Sequence, residues 1–372
     1  MSRLQEFLSI LPKHVSGELR CDDLTRVLFS TDASLYQVMP HGVLWPKSTE
    51  DIQAAVELAA AYEIPVLARG AGTSLAGQAV NQALIIDVRR HLDRLIEVNP
   101  EERWARVQPG MVIDDINLAL MSYRLQFGPD PASSNRSTIG GAVANNATGS
   151  HSIIYGMTAD HVLGMQVVFS DGSMSELSSF TRLSRVASPI LRQLEALVAE
   201  PANQQIIRDG TPSYWRRCGG YNLDRLLSED LLNPQSLICG SEGTLAFITE
   251  ITINLVPVPR HTGLVLLDFA DLYLALAAVP EILTTGPSAV ELLDDLSLKL
   301  CLGVPEYARL LASVVGGMPH SLLVIEYAGD TGSMVLDGID RLKQVLKYSR
   351  SDVGQTIALT HAQQSAIWQI RR

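Results

Sequence analysis

The stretch RGAGTSLAG, residues 69–77, follows a short predicted strand at residues 64–67 and decides how the N-terminal part of the chain is interpreted. Gly70 and Gly72 allow a sharp backbone turn and leave out Cβ atoms that would keep a ligand at a distance. Successive amide groups in such a turn form a concave donor surface that suits a diphosphate. An ordinary surface turn is the alternative, because the spacing is not the Rossmann G-x-G-x-x-G and no capped apolar helix follows directly.

A second stretch, PDPASSNRSTIGGAVANNATG, covers residues 129–149. Small side chains, hydroxyls and amides dominate it, and such a surface can lie flat against a planar, hydrogen-bonding heterocycle. The wider glycine- and asparagine-rich segment 128–156 predicts irregular backbone close to a ligand. A short helix of small residues over 140–146 is the alternative. A catalytic serine is disfavoured, because the stretch has no G-x-S-x-G elbow.

A third stretch, CGSEGTLAFITE, covers residues 239–250 and places Glu242 between small residues at the start of a predicted strand. Glu242 is therefore a candidate functional residue. A tight turn with a solvated glutamate is the alternative interpretation.

The rest of the chain mixes helix and strand patterns. Before the Pro-Val-Pro break at 257–259, apolar spacing predicts helices at 51–62 and 111–123, and strands at 84–88, 94–98, 104–108, 165–169, 174–177 and 245–256. After the break it predicts strands at 264–269, 289–294 and 321–328, and helices at 271–284, 335–347 and 362–372. The second part is expected to be an antiparallel sheet with helices on one face.

Composition excludes several classes of protein. Of the 372 residues, 47% are hydrophobic and 19% are charged, as in globular proteins. The net charge of −11 disfavours binding to nucleic-acid phosphates. We find neither a secretory signal nor an apolar run long enough to span a membrane. The four cysteines form no C-x-x-C pair, which argues against a metal clamp in this chain and favours free, buried thiols in a reducing cytosol.

The three stretches, in this order and spacing, resemble the FAD-binding domain of the vanillyl-alcohol oxidase and p-cresol methylhydroxylase family. The resemblance is greatest to its bacterial FAD-linked D-2-hydroxyacid dehydrogenases, which include D-lactate, glycolate and D-2-hydroxyglutarate enzymes of the long FAD plus iron–sulfur type. It covers residues 25–257 and continues more weakly beyond. It implies an α+β fold, with a two-subdomain FAD-binding domain followed by a partial α+β capping domain.

The resemblance also implies which residues contact FAD. The first stretch would wrap the pyrophosphate, the second would follow the pyrophosphate and isoalloxazine, and the third would meet the ribityl and adenine portions. Family members with covalent FAD often carry a histidine where this chain has Thr73, so we expect non-covalent FAD. The implied cofactor-binding residues are Arg69, Gly70, Ala71, Gly72, Thr73, Ser74, Leu75, Asp130, Ala132, Ser133, Ser134, Thr138, Gly140, Gly141, Asn145, Asn146, Ala147, Thr148, Gly149, Glu242, Gly243 and Ile248.

The last predicted helix contains WQIR, residues 368–371, which resembles the W-x-x-R of the 2-hydroxyacid branch. In that branch the arginine binds the substrate carboxylate, and a guanidinium fork suits this task. Arg371 is therefore implied to bind substrate. An exposed basic helix end is the alternative. The chain departs from the family in having Arg372 where related enzymes often have glutamate.

Together these observations predict three regions: an N-terminal lead-in at 1–37, an FAD-binding domain at 38–257 and an incomplete substrate-capping domain at 258–372. The predicted activity is oxidation of a D-2-hydroxy acid to the 2-oxo acid by hydride transfer to flavin N5. A sugar-lactone or alcohol oxidase, or an FAD-binding fragment that needs a C-terminal partner, are the alternatives.

The predicted helix that reaches residue 372 has no C-cap, so we expect a longer polypeptide or a split gene product. The catalytic base, which we do not assign, and any iron–sulfur cluster would then lie beyond residue 372. The electron acceptor is left open among a quinone, a cytochrome and an electron-transfer flavoprotein. The expected location is the cytoplasm, with peripheral attachment to the inner membrane as an option.

Overall fold

The computed structural model describes residues 2–178, 189–228, 231–315, 320–349 and 353–371. Arg372, where the sequence departs from the family pattern, lies outside these ranges. The chain divides into two compact units by its internal contacts. Unit 1 is Met1–Thr148 with Met157–Val256, and unit 2 is Gly149–Gly156 with Pro257–Arg372.

The described residues form helices and strands in a mixed order. The helices are α1 (Arg3–Ile10), α2 (Asp23–Leu28), α3 (Thr49–Tyr62), α4 (Ile113–Leu120), α5 (Ile139–Ala144), α6 (Ser152–Tyr155), α7 (Pro189–Ala199), α8 (Pro201–Gly210), α9 (Leu223–Leu226), α10 (Pro234–Ile238), α11 (Leu272–Leu283), α12 (Asp295–Leu302), α13 (Pro305–Val314), α14 (Gly332–Ser349) and α15 (His361–Arg371). The strands are β1 (Glu18–Arg20), β2 (Gly42–Trp45), β3 (Val66–Arg69), β4 (Leu84–Asp87), β5 (Leu95–Asn99), β6 (Trp104–Val107), β7 (Leu125–Gln126), β8 (Val162–Phe169), β9 (Met174–Ser178), β10 (Leu227–Ser228), β11 (Leu231–Leu232), β12 (Ala246–Asn254), β13 (Val256–Pro257), β14 (His261–Phe269), β15 (Ala289–Leu293), β16 (Ser321–Gly329) and β17 (Gly354–Ala358).

Unit 1 contains two larger sheets. In the first, of order β1-β2-β4-β3, strand β4 runs parallel to β2 and to β3, and β1 is antiparallel to β2. Strand β4 is buried along its whole length, and residues of α1 and α3 pack in the same core. The second sheet, of order β5-β6-β12-β8-β9, is antiparallel throughout. Strands β3 and β12 each adjoin one of the sequence stretches singled out above.

Two short helices interrupt the glycine- and asparagine-rich segment 128–156, for which the composition predicted irregular backbone. Thr138 caps the N-terminus of helix α5, and its hydroxyl accepts a hydrogen bond from the Gly141 amide at 3.2 Å. This capping bond satisfies one of the amides that a helix start leaves unpaired. The alternative of a small-residue helix in this stretch therefore describes the local structure better.

Unit 2 contains an antiparallel sheet of order β15-β16-β14-β17. Helices α11 and α14 share a core with one face, and α12, α13 and α15 share a core with the other. The prediction that helices cover one face was wrong. Residues 264–267 of β14 and 322–325 of β16 are continuous hydrophobic runs that are buried, and such runs require cover on both faces of the sheet.

Within the described ranges, no helix combines the length and the hydrophobicity that crossing a membrane requires.

Candidate cofactor site

A cleft in unit 1, called here the unit 1 cleft, brings parts of all three sequence stretches together. The empty space in and around it, open solvent included, is about 760 Å³. The first stretch enters it after β3, the second at the start of α5, and the third before and within β12. Its lining residues are Ala68, Arg69, Gly70, Ala71, Gly72, Thr73, Ser74, Gln78, Ala79, Val88, Pro109, Thr138, Gly140, Gly141, Ala144, Asn145, Glu242, Gly243, Ala246, Phe247 and Ile248.

Side-chain hydrogen bonds join the first stretch to the second. The Thr73 and Ser137 hydroxyls are 3.1 Å apart, and the Asn145 side-chain amide donates to the Ser74 hydroxyl at 3.2 Å. Backbone amides join the third stretch to α5, since Gly240 and Glu242 donate to the carbonyls of residues 143 and 144, each at 2.9 Å. Hydrogen bonds within the protein therefore hold the walls of the cleft together without a ligand.

Gln78 is a lining residue that the sequence analysis missed. Its side-chain amide donates to Glu242 Oε1 at 3.2 Å and so connects the first stretch to the third. The prediction ended at Leu75, whose side chain is 79% exposed and does not line the cleft. Extending the glycine-rich stretch beyond Gly77 would have included Gln78. Phe247 lies within the third stretch but was not among the predicted contacts. Pro109, by contrast, lies in a segment with no local pattern that predicts ligand contact.

Arg69 lines the cleft, but its side chain is anchored to other parts of unit 1. Its guanidinium turns into the protein and donates to three backbone carbonyls: Phe29 at 3.0 Å, Ala79 at 2.8 Å and Thr31 at 2.7 Å. The residue is 8% exposed, and burial, followed by the nearby Arg89, lowers the pKa of the guanidinium. This side chain ties the stretch after β3 to two other segments of unit 1, so only other atoms of Arg69 face the cleft.

The glycines of the cleft serve two different purposes. A Cβ on Gly70 would lie 2.3 Å from Thr138 Oγ1, and one on Gly140 would lie 2.7 Å from Pro109 Cβ. These two glycines allow protein segments to pack closely rather than leaving room for a ligand. A Cβ on Gly243 would meet its nearest atom, Ala68 Cβ, at 3.8 Å, so the space beside this residue is open.

Backbone conformation also distinguishes the cleft. Gly72 has φ +70°, and a Cβ there would lie 2.9 Å from Arg69 Nη2. Glu242 has φ +53° between the positive-φ residues Gly240 and Gly243. A left-handed conformation at a non-glycine residue costs roughly 1–2 kcal/mol. Its occurrence at Glu242, with the amide and carboxylate both hydrogen-bonded, indicates that the surrounding contacts impose this geometry.

The cleft offers mostly neutral donors to a ligand. Among its lining residues Arg69 and Glu242 are charged, and the Arg69 guanidinium is directed to backbone carbonyls. A diphosphate would therefore be held by backbone amides and by the hydroxyls of Thr73 and Ser74, as in a nest of successive N–H groups. This donor set and the open space at Gly243 fit a dinucleotide cofactor.

Not all of the predicted cofactor residues line the cleft. Asn146 is buried, and its side chain bonds to the Arg217 carbonyl and the Ala159 amide, which is a structural role. The Thr148 hydroxyl accepts from Arg216, and the Gly149 amide donates to Ser152 within unit 2. The predicted residues outside the lining are Leu75, Asp130, Ala132, Ser133, Ser134, Asn146, Ala147, Thr148 and Gly149.

Unit 2 holds Arg371, the residue implied to bind substrate. Its Nε and Nη2 donate to the two carboxylate oxygens of Glu291 at 3.3 and 3.2 Å, and the Arg371 side chain is 14% exposed. It is therefore neither an exposed helix end nor a solvated cation. Trp368, one turn earlier in α15, lies with its ring centroid 5.9 Å from that of His151. His151 Nε2 is 2.9 Å from the buried carboxylate of Glu326.

No group of three or more histidine, cysteine or acidic side chains in the described ranges is arranged to hold a metal ion. All four cysteines carry free thiols, but the prediction that these thiols are buried was wrong for Cys21 and Cys218, which are exposed. Complete burial raises the pKa of the Cys239 thiol to about 12, so this thiol is inert at neutral pH.

Two known protein families match successive parts of the chain. A family described as "FAD binding domain" matches residues 40–178, and one described as "FAD linked oxidases, C-terminal domain" matches residues 258–372. The solved structure of an alkyldihydroxyacetonephosphate synthase superposes with a TM-score of 0.71 at 19% identity, covering 99% of this chain and 64% of the other. At that identity the likeness concerns the fold, which is of the p-cresol methylhydroxylase type.

Curated relatives match most of the chain. The D-2-hydroxyglutarate dehydrogenase of Pantoea ananatis is 31% identical over 350 residues, which are 90% of this chain and 34% of the relative. The glycolate oxidase subunit GlcD of Bacillus subtilis is 29% identical over 374 residues, covering 96% of this chain and 68% of the relative. The chain thus spans about a third of the length of the D-2-hydroxyglutarate dehydrogenases that it matches.

Proposed function

The chain belongs to the FAD-linked oxidases, and from this membership we propose that it binds FAD non-covalently in the unit 1 cleft and takes part in oxidising a D-2-hydroxy acid. The observation that carries the proposal is the convergence of three distant stretches on one cleft rich in neutral donors. We propose residues 38–257 as the FAD-binding domain and residues 258–372 as the capping domain, with residues 1–37 as a lead-in.

Each part of the chain has a proposed task. The backbone amides of residues 70–74, with the Thr73 and Ser74 hydroxyls, hold the cofactor phosphates. The start of α5, together with Asn145, Glu242, Gly243 and Ile248, forms the opposite wall. Arg371 binds the substrate carboxylate and orients the hydroxy acid. FAD, when bound, supplies the oxidant that accepts the hydride from the α-carbon.

The substrate class rests on relatives named D-2-hydroxyglutarate dehydrogenase and glycolate oxidase, and on Arg371. Hydride removal from a hydroxy acid also requires a base for the hydroxyl proton, and we assign that role to no residue of this chain. The electron acceptor is left open, and nucleic acid is not proposed as a partner. The free cysteines favour the cytoplasm as the location.

A second candidate function follows from the length of the chain compared with that of its relatives. Because the chain spans about a third of some relatives, it could act as an FAD-binding part that turns over substrate only with a further polypeptide. Any iron–sulfur cluster would then belong to that polypeptide.

Anaerobic reduction of the flavin separates these candidates. The purified chain is loaded with FAD and mixed in separate reactions with D-lactate, glycolate or D-2-hydroxyglutarate, with the L-enantiomers of the chiral acids as controls, and with sugar lactones or alcohols. Bleaching of the visible flavin band by D-acids supports the proposal. FAD binding without bleaching supports the second candidate. Bleaching by sugar lactones or alcohols alone moves the assignment to those oxidases, and failure to bind FAD refutes the cofactor assignment.

A further inference from the structure

The ion pair between Arg371 and Glu291 joins residues 80 positions apart and uses one edge of the guanidinium. Glu291 occupies the edge formed by Nε and Nη2. A guanidinium has five N–H donors in a rigid planar fork. Within the described ranges, Nη1 has no hydrogen-bond partner, so the end of the fork formed by Nη1 and Nη2 keeps donors for another acceptor.

Glu291 is itself held on a rigid element. It lies in β15 opposite Val324 of β16, and Val324 belongs to the apolar core that α15 shares. Paired residues in a sheet direct their side chains to the same face. Glu291 therefore faces α15, whose Ile367 and Ile370 are buried in that core. The exposed fractions of the two paired side chains, 23% for Glu291 and 14% for Arg371, show that both have lost most of their contact with water.

We propose that Glu291 is a positioning residue for Arg371: it holds one edge of the guanidinium so that the other edge receives the carboxylate of the 2-hydroxy acid. This inference rests on the proposed function, because it needs Arg371 to bind the substrate anion. A long arginine side chain loses substantial rotamer entropy when it is fixed. Because Glu291 already fixes the Arg371 side chain in the substrate-free protein, less of the substrate's binding free energy is spent on ordering that side chain.

A rival role for Glu291 predicts the opposite effect. A carboxylate close to an anion site repels the anion, and by charge alone its removal would strengthen anion binding. If Glu291 positions the fork, its removal weakens binding instead. The direction of the change in affinity therefore separates the two roles.

Oxalate is the probe, because it presents a carboxylate beside a second oxygen-bearing carbon, as a 2-hydroxy acid does. Its affinity for the full FAD-loaded chain is measured by isothermal titration calorimetry. Arg371→Lys is expected to weaken binding by about tenfold or more, the scale of a charged hydrogen bond. Glu291→Gln is expected to weaken it by about threefold or more. The double variant is expected to bind no more weakly than Arg371→Lys alone, because Glu291 acts through Arg371.

Asp340→Asn is the matched control for the change in charge. It removes a carboxylate from the exposed Lys343–Asp340 pair on α14, which packs on the other face of the sheet. Its affinity for oxalate is expected to stay within twofold of the unaltered chain. If Glu291→Gln does not fold, Glu291→Asp replaces it, since it withdraws the carboxylate by one methylene, and the same weakening is expected.

The outcomes separate this inference from the proposed function. Equal or tighter binding by the Glu291 variant, alongside weaker binding by Arg371→Lys, overturns the positioning role and leaves Arg371 as the anion site. Additive losses in the double variant overturn it as well, because Glu291 would then act independently. Unchanged affinity in Arg371→Lys, or no oxalate binding by the unaltered chain, overturns both.

Discussion

Replacing Arg69 by methionine should destabilise unit 1 even when no cofactor is bound. The guanidinium donates to three backbone carbonyls, and the bond to Ala79 is fully buried whereas those to Phe29 and Thr31 are partly buried. Losing the guanidinium leaves the buried Ala79 carbonyl without a hydrogen-bond donor, which costs about 1–3 kcal/mol. Water can reach the Phe29 and Thr31 carbonyls, so the loss of each of these hydrogen bonds costs about 0.5–1.5 kcal/mol. The expected loss in the free energy of unfolding is about 2–6 kcal/mol.

The assay is urea unfolding of the FAD-free protein, followed by circular dichroism, together with FAD affinity from the quenching of flavin fluorescence. Arg106→Met is the matched control, since Arg106 pairs with Glu97 on the surface of the same unit with both side chains more than 40% exposed. Exposed pairs contribute about 0–1 kcal/mol, so the control should unfold near the unaltered protein. The reasoning is refuted if Arg69→Met leaves the FAD-free stability unchanged while FAD affinity falls more than tenfold, because the guanidinium would then contact the cofactor directly.

Three further predictions concern the flavin, a glycine and a thiol. Acid or heat should release free FAD because Thr73 stands where a covalent histidine would be, and flavin that stays on the denatured polypeptide would contradict this. Gly72→Ala should lose both stability and FAD affinity, because Gly72 has φ +70° and a Cβ there would also lie 2.9 Å from Arg69. Gly220→Ala is the control: Gly220 has φ +79° but no atom within 4 Å of an added Cβ, so this variant should lose only the roughly 1–2 kcal/mol of backbone strain. Equal effects in the two variants would argue against the Arg69 contact. At pH 8 a thiol reagent should label exposed Cys218 but reach Cys239 only after unfolding, and equal labelling rates would disprove its burial. Since the folded pKa of Cys239 is raised to about 12, its neutral thiol favours folding below the unfolded pKa, and this contribution is lost as pH rises towards 12.

Local patterns were enough to predict most elements and the three stretches that carry the site. Helix α3 and strands β4 and β12 follow from apolar spacing, because side-chain periodicity depends on near neighbours in the chain. The glycine-rich composition of residues 69–77 likewise indicates a turn that can bring backbone amides to a ligand. The resemblance to FAD-linked oxidases depends on these same short stretches, and family comparison confirmed it.

The amino-acid sequence by itself determined which residues could turn, cap or donate, since those properties belong to a residue and its immediate neighbours. Only the tertiary structure decided what each of them meets. Gly70 lacks a Cβ because Thr138, 68 positions later, occupies that space, and the Arg69 guanidinium serves three carbonyls rather than a phosphate. The helices on the second face of the unit 2 sheet and the pairing of Glu291 with Arg371 depend in the same way on contacts between distant segments. Spacing along the chain does not encode such contacts, because they form only when separate elements pack together.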